Sequence, residues 1–252
     1  MLGTLQAIIG ILATVALSCA AVLLRSLTPA AGTVAAIFGS FIVVVGGYPF
    51  LALLILFVLA GSLATRYHIE EKTRDHLQEG QHGERGISNV LAHIVLPTIL
   101  VGIYGLSPSA FPAPALAFLY TAALAFGAAD TFASEFGVLA GHARSILTLR
   151  PVTPGTNGGI SGRGEAWGLI GAVTTAVIGI LLFDLFSAPT PPVALFVIGT
   201  ALAGFLGCQI DSVLGEALEN RGYLTKGSTN LLAMVASVLI GVGILAAVGG
   251  SF

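Results

Sequence analysis

The sequence predicts an all-α protein, a polytopic transmembrane helical bundle of about eight spans that forms a single membrane domain over residues 1–252. Composition is the first reason, since 56% of the residues are hydrophobic, 9% are charged and the mean hydropathy is +0.97. A soluble domain carries roughly 25% charged residues, so that class is excluded. The second reason is a series of apolar runs that can each cross about 30 Å of hydrocarbon as a helix.

Eight such runs follow one another along the chain. The first has no basic residue ahead of it, so it lacks the n-region of a secretory signal and is expected to be a mature helix. Gly46, Gly47 and Pro49 separate the second run from the third, although a re-entrant turn there would look similar. Cys19 and Cys208 fall inside runs and offer no disulfide framework. The runs lie near residues 2–24, 29–47, 48–66, 87–106, 113–133, 167–187, 191–213 and 229–249.

Basic residues occur in connections of one parity only. By the positive-inside rule this pattern predicts that both termini are outside and that the loops 67–86, 138–165 and 220–228 are cytoplasmic. A polar ligand should therefore meet the protein at the cytoplasmic leaflet. The ten basic residues are Arg25, Arg66, Lys72, Arg74, Arg85, Arg144, Arg150, Arg163, Arg221 and Lys226.

The segment 66–85 is the most highly charged part of the chain. It mixes basic residues, acids and three histidines, His68, His76 and His82. Mixed charge at helical spacing is typical of a solvated helix, and the histidines show no tight metal-ligand spacing. A cytoplasmic helix is expected here.

Two short acidic strings echo one another at the cytoplasmic ends of the fifth and seventh runs. A helix places the positions i, i+1, i+4 and i+5 within about 140° of arc, so each string forms a polar stripe with two carboxylates. Carboxylates at the edge of hydrocarbon are expensive unless they are paired, hydrated or holding a cation. Hard oxygen ligands suit Mg²⁺. Interhelical hydrogen bonds or ion pairs with Arg85, Arg150 or Arg163 are the alternative. The stripes are Asp130, Thr131, Ser134 and Glu135, and Asp211, Ser212, Gly215 and Glu216.

A glycine-rich segment, 151–164, lies between the two acidic strings. Its backbone N–H groups could cradle an anion, with Arg163 adding charge. It matches neither the P-loop nor the dinucleotide fingerprint. A simple turn before a helix is the alternative. The residues expected to bind nucleotide or phosphate are Pro154, Gly155, Thr156, Asn157, Gly158, Gly159, Ser161 and Arg163, with Thr131, Ser134 and Ser212 from the stripes.

A third cluster opens the fourth run. Arg85 is the expected substrate contact, while Asn89 and His93 share a helix face and more commonly form a structural pair. Asn230, at the start of the last run, is a comparable polar candidate.

Several strings together resemble the integral-membrane family of plant and cyanobacterial phytyl-phosphate kinase and eukaryotic transmembrane protein 19. The resemblance spans roughly residues 30–250. The strings are Arg85 with Asn89-Val-Leu-Ala, Ala129-Asp-Thr-Phe-Ala-Ser-Glu-Phe-Gly137, Val152-Thr-Pro-Gly-Thr-Asn-Gly-Gly-Ile-Ser161 and Asp211-Ser-Val-Leu-Gly215. The resemblance implies nucleotide-dependent phosphorylation, with CTP as donor, of an isoprenyl monophosphate to the diphosphate.

The residue chemistry agrees with that reaction. A phosphomonoester has its second pKa near ~6, so at neutral pH it is already an anionic nucleophile that needs charge neutralisation more than a base. The expected catalytic residues are Arg85, Asn89, Asp130, Glu135 and Asp211, and the expected Mg²⁺ ligands are Asp130, Glu135, Asp211 and Glu216.

The expected partners are a nucleoside triphosphate, an isoprenyl monophosphate lipid and the membrane, with no nucleic acid, and homo-oligomerisation is left open. The site should face the cytoplasm. A cytidylyltransferase that forms a CDP-lipid uses the same nucleotide and metal, and sequence does not separate it from a kinase. A transporter or channel also places acids on facing helices. A structural assembly factor is a further alternative.

Overall fold

A computed structural model describes residues 2–75, 77, 83–109 and 111–249. Eight helices in this part of the chain are long and apolar enough to cross a membrane, which confirms the predicted all-α membrane bundle. The helices are α1 (Thr4–Leu23), α2 (Pro29–Gly46), α3 (Tyr48–Arg66), the short α4 (Ile69–Arg74), α5 (Ile87–Leu106), α6 (Ala113–Gly137), α7 (Gly162–Leu185), α8 (Val193–Leu214) and α9 (Lys226–Ala247).

Local sequence signals set several helix starts. Thr28, Ser161 and Thr225 are N-caps of α2, α7 and α9, and each side chain accepts a hydrogen bond from a backbone N–H of the first turn. Between α2 and α3 the chain reverses at Gly47, whose φ of 98° suits glycine. The second and third apolar runs are therefore two complete helices rather than a re-entrant turn.

Three helices extend further into the polar connections than the apolar runs do. α6 continues to Gly137, α7 begins at Gly162 and α9 begins at Lys226. The reason is that polar residues in a terminal turn lower hydropathy without breaking backbone hydrogen bonds. In the charged segment, α4 is a helix as expected, but it is only partly solvated because Lys72 is buried. His76, Glu79 and His82 lie outside the described residues.

The connection between α6 and α7 is ordered as a small antiparallel sheet, which the sequence pattern did not predict. A 3₁₀ turn (Val138–Ala140) leads into β1 (Ala143–Ser145), which pairs with β2 (Pro151–Val152) on one side and β3 (Gly159–Ile160) on the other. The residues between β2 and β3 therefore form a loop anchored at both ends.

α6 lies at the centre of the bundle and packs against α3, α5, α7, α8 and α9. Small residues permit close approach: a Cβ on Gly171 of α7 would lie 2.7 Å from the Ala128 carbonyl oxygen, and one on Gly204 of α8 would lie 2.7 Å from the Ala125 carbonyl carbon. Interfaces of this kind are typical of membrane helices. The close packing brings the polar ends of α6, α7 and α8 together.

Candidate functional site

A polar cavity of about 370 Å³ opens at the end of the bundle where α6 and α8 finish and α7 and α9 begin. The loop between β2 and β3 covers it. Twelve of the predicted site residues line this cavity: Asp130, Ser134, Glu135, Pro154, Gly155, Thr156, Asn157, Gly158, Gly159, Ser161, Asp211 and Ser212. The two acidic strings and the glycine-rich segment, far apart in sequence, thus meet at one place.

The centre of the cavity is a pair of carboxylates, Asp130 on α6 and Asp211 on α8. They are close enough for the negative charge of Asp130 to act on Asp211. Asn230 on α9 donates from Nδ2 to Asp130 Oδ2 at 3.1 Å. Asp211 Oδ1 is buried and has no hydrogen-bond partner within the described chain. Two adjacent carboxylates with an unsatisfied buried oxygen form an arrangement that a cation would complete.

Lys226 and Arg85 provide positive charge near this pair. The charge of Lys226 acts on both carboxylates, and the charge of Arg85 acts on Asp130. Glu219, the last residue of a π-helical turn (Gly215–Glu219) that follows α8, adds negative charge beside Asp211. Side chains from three separate segments of the chain thus set the electrostatic field at the two carboxylates.

The loop over the cavity is held by the last residue of the π-helical turn after α8 and by the residue that follows it. Asn157 Nδ2 donates to Glu219 Oε1 at 2.9 Å, and Asn220 Nδ2 donates to the Asn157 carbonyl oxygen at 3.1 Å. Gly155 and Gly158 have φ values of 85° and 77°, which favour glycine. The amides of Gly155, Asn157 and Gly158 have no hydrogen-bond acceptor in the part of the protein that is described. Backbone donors in such a loop can bind an anion.

Gly158 also has a packing role that the sequence did not reveal. A Cβ there would lie 2.4 Å from the Glu216 Cβ and 2.8 Å from the Ser212 carbonyl oxygen. A larger side chain at this position would push the loop off α8 whether or not the loop binds a ligand. A loss of activity in a variant with a larger side chain at Gly158 would therefore not show by itself that the loop binds phosphate.

Two of the four carboxylates expected to bind magnesium have hydrogen-bond partners within the protein. Glu135 Oε2 accepts a hydrogen bond from Lys72 Nζ at 2.6 Å, and Glu216 Oε1 accepts one from Ser145 Oγ at 2.6 Å. Among the described residues no three His, Cys, Asp or Glu side chains gather around a common point. The candidate metal ligands are thereby reduced to Asp130 and Asp211.

Arg85, Asn89 and Thr131 lie outside the lining of the polar cavity, on the α3 and α5 side of α6. Arg85 Nη2 donates to Thr131 Oγ1 at 3.2 Å, and Asn89 accepts through its carbonyl oxygen from His93 Nδ1 at 2.9 Å. The stripe on α6 therefore divides. Asp130 and Ser134 line the polar cavity, whereas Thr131 contacts Arg85.

Arg163 is not the cation of the cavity. Its Nη1 donates to the Leu139 carbonyl oxygen at 3.1 Å on the exposed surface. The expectation that Arg163 supplies charge to the loop is corrected in favour of Lys226, which lines the cavity. Arg163 lies in the first turn of α7, so the helix geometry directs it away from the loop that precedes it.

Four residues that line the cavity or pair with its lining were not predicted from the sequence: Lys72, Glu165, Glu219 and Lys226. Lys226 is the first residue of an apolar span, which is an unusual position for a lysine. This position is the one sequence signal that could have identified Lys226. Glu165 Oε2 accepts from Gln209 Nε2 at 2.8 Å and lines the cavity, but nothing near it in sequence marks it. Lys72 and Glu219 are recognised only through partners distant in sequence.

Fold and site together define a polytopic integral membrane protein with an acidic, loop-covered cavity at one end of its bundle. The family model described as integral membrane protein DUF92 matches residues 12–247, so the chain belongs to this family.

Three relatives extend this finding. An uncharacterized membrane protein of Methanocaldococcus jannaschii is 31% identical over 199 residues, which cover 78% of this chain and 76% of the relative. Protein PGR of Arabidopsis thaliana is 33% identical over 193 residues, covering 70% and 67%. An uncharacterized membrane protein of Synechocystis is 29% identical over 190 residues, covering 75% and 70%. No solved structure matches the chain.

Proposed function

We propose that this protein is a membrane kinase that transfers a phosphoryl group from a nucleoside triphosphate, with CTP as the expected donor, to an isoprenyl monophosphate. The observation that carries the proposal is the Asp130 and Asp211 pair, with the unsatisfied Asp211 Oδ1, beneath a loop of available backbone amides. The triphosphate and the monophosphate are both anions, so bringing them together requires a bound cation, basic side chains and amide donors. The carboxylates would hold the cation.

The donor set fits Mg²⁺. Two adjacent carboxylates supply the hard oxygen ligands that this ion prefers, leaving further positions for water and phosphate oxygens. Asp130 and Asp211 would hold the ion, which when bound supplies charge neutralisation for the triphosphate. Asn230 keeps the Asp130 carboxylate oriented through its 3.1 Å hydrogen bond.

The remaining roles belong to the chain itself. The loop amides bind the triphosphate from above, and Lys226 balances its negative charge from the start of α9. A phosphate oxygen of the acceptor attacks the γ-phosphorus, the bond from the γ-phosphorus to the bridging oxygen breaks, and the nucleoside diphosphate leaves with that electron pair. The acceptor is already an anion near neutral pH, so no general base is needed.

The decisive experiment identifies the product. Purified protein in nanodiscs is incubated with Mg²⁺, α- or γ-labelled CTP, and a panel of isoprenyl monophosphates; labelled ATP, GTP and UTP test the base. We expect label from the γ-position in a lipid diphosphate, together with CDP. Pyrophosphate and a CDP-lipid would instead establish the cytidylyltransferase. Absence of any product, from a protein that binds both substrates, would overturn nucleotidyl and phosphoryl transfer alike.

Variants of the carboxylate pair test the site directly. Asp130→Asn and Asp211→Asn should each lower kcat at least 100-fold, because removing a group that stabilises charge in the transition state typically costs 10²–10³. Asp184→Asn is the matched control, since Asp184 is exposed near the opposite end of α7. Rates are compared after thermal unfolding shows that all three variants fold. Near-native turnover in either site variant would contradict the assignment.

A further inference from the structure

A second cavity, of about 200 Å³, lies on the other side of α6 between α1, α2, α3 and α5. Its walls are almost wholly apolar. Its mouth includes Leu17, Leu24 and Leu59, which are 47%, 66% and 53% exposed. In a membrane protein such side chains face hydrocarbon, so the cavity opens sideways to the lipid.

The inner end of this cavity is polar. Ser62, Arg85, Asn89 and His93 line it there. Arg85 is only 3% exposed, and Gly61 makes room for it, since a Cβ at Gly61 would lie 2.6 Å from Arg85 Nη2. The space that admits the guanidinium group thus depends on glycine at position 61.

Two donors at this end are unsatisfied. Arg85 donates from Nη2 to Thr131, but Arg85 Nε and Ser62 Oγ are buried without a hydrogen-bond partner among the residues described. Burying a guanidinium with an unfilled donor is costly unless a ligand completes it. The chemistry that completes it is an anionic oxygen, and phosphate is a preferred partner of arginine.

The polar end of the apolar cavity adjoins the carboxylate pair. Arg85 contacts Thr131 on α6, and His93 Nε2 lies 3.9 Å from Asp130 Oδ2. Arg85 and His93 therefore stand between the apolar cavity on one side and Asp130 on the other. A group held at Arg85 would lie close to Asp130, which lines the polar cavity where the nucleotide is proposed to bind.

From this arrangement we infer that the apolar cavity is the binding site for the tail of a single-chain lipid phosphomonoester, whose phosphate is held by Arg85. The inference rests on the proposed function and adds the location of its acceptor. A volume of about 200 Å³ is below the roughly 300–1,000 Å³ of ordinary small-molecule sites, so it accommodates part of one chain rather than two. The acceptor enters sideways from the membrane, and the donor enters from the aqueous end.

The test measures binding rather than turnover. Dodecyl monophosphate is titrated into the full-length protein in detergent micelles, with inorganic phosphate and two-chain phosphatidic acid as comparison ligands. We expect the single-chain phosphate to bind at least tenfold more tightly than either. Equal affinity for phosphatidic acid would overturn the single-chain assignment, and equal affinity for inorganic phosphate would overturn the tail site.

A cavity-filling variant and a matched control locate the tail. Ala21→Phe places a ring in the cavity, and Ala16→Phe places the same ring on an exposed position of the same helix. Ala21→Phe should weaken dodecyl monophosphate binding at least tenfold, and Ala16→Phe less than twofold. Should Ala21→Phe fail to fold, Ala35→Phe fills the cavity from α2. Unchanged binding in a folded cavity variant would overturn the inference.

Arg85→Gln tests the phosphate contact independently. It should weaken dodecyl monophosphate binding at least tenfold, and Arg85→Lys should recover part of the loss. Nucleotide binding is measured in parallel with a fluorescent CTP analogue and should stay within twofold in Ala21→Phe. Lipid binding that obeys these predictions without any phosphoryl transfer would refute the proposed function and leave the lipid site standing. Phosphoryl transfer that is unaffected by Ala21→Phe and Arg85→Gln would support the proposed function and refute the lipid site.

Discussion

At the scale of single residues, the buried lysine Lys72 shows how the charged segment is tied to the bundle. Lys72 is fully buried, and its Nζ donates to Glu135 Oε2 at 2.6 Å and to the carbonyl oxygens of Ala64 at 3.0 Å and Thr65 at 3.3 Å. A lysine ammonium has three donors, and all three find acceptors here. The pair fixes α4 and the end of α3 against the last turns of α6, beside the polar cavity.

Removing one member of this pair should be far more damaging than removing both. Lys72→Met leaves Glu135 buried and unpaired, which typically costs about 3–5 kcal/mol, whereas Lys72→Met combined with Glu135→Leu removes both charges. We expect the double variant to unfold at a higher temperature than Lys72→Met alone, by thermal unfolding in detergent.

Arg74→Met is the control for this pair, because Arg74 on the same helix is 73% exposed in its side chain and pairs with Asp75 at the surface. It should change the free energy of unfolding by less than about 1 kcal/mol. A Lys72→Met variant as stable as Arg74→Met would show that the Lys72 and Glu135 contact contributes nothing to stability.

At the scale of helices and strands, prediction from sequence worked where the signal is local. Span length and hydropathy are properties of single segments, so the long helices were located to within a few residues. Caps such as Ser161 and Thr225 explain why α7 and α9 begin earlier than their apolar runs. The sheet β1 to β3 was missed because its strands have two or three residues, too few to show a period.

The candidate site was predictable only in part, for a related reason. Asp130, Asp211 and the loop 154–161 stand out because polar residues in apolar surroundings are conspicuous. The hydrogen-bond partners of these polar residues come from tertiary contacts that the sequence does not show. Lys72 donates to Glu135, Ser145 donates to Glu216, and Asn157 donates to Glu219. Their positions on the helix predicted that Glu135 and Glu216 would act together with the two aspartates. In the structure, the two glutamates instead bind Lys72 and Ser145, respectively.

The crossing of α6 and α7 provides a test of close helix packing. Gly171→Ala would put a Cβ 2.7 Å from the Ala128 carbonyl oxygen, and that backbone atom cannot swing aside. The two helices must then separate, at a cost of about 1–3 kcal/mol. The measurement is the free energy of unfolding in detergent or the shift in unfolding temperature.

Gly243→Ala in α9 is the matched control, since a Cβ at Gly243 would have no atom within 4 Å. Alanine is the better helix former by up to about 1 kcal/mol, so this variant should be as stable as the natural chain or slightly more stable. If both alanine variants behaved alike, close contact at Gly171 would not limit stability.

At the scale of the whole molecule, the bundle is polar at one end. This end contains the polar cavity, the ends of α1, α3, α6 and α8, and the starts of α5, α7 and α9. An isolated parallel β-bridge between Leu27 and Arg85 and a hydrogen bond from Arg66 to the Leu24 carbonyl oxygen link these segments. The connections that carry the basic residues also belong to this end. We propose on this basis that the cavity faces the cytoplasm.

Labelling of single cysteines tests this orientation. In a background where Cys19 and Cys208 are replaced by alanine, Gly162→Cys introduces a thiol at an exposed position with no atom within 4 Å of its Cβ, beside the cavity. Ser109→Cys introduces one at an exposed position of the opposite connection, between α5 and α6. With basic connections inside, a membrane-impermeant maleimide applied to intact cells should label Ser109→Cys but not Gly162→Cys, and permeabilised cells should show both. Labelling of Gly162→Cys from outside intact cells would invert the topology, and a soluble cytoplasmic nucleotide could then no longer reach the cavity.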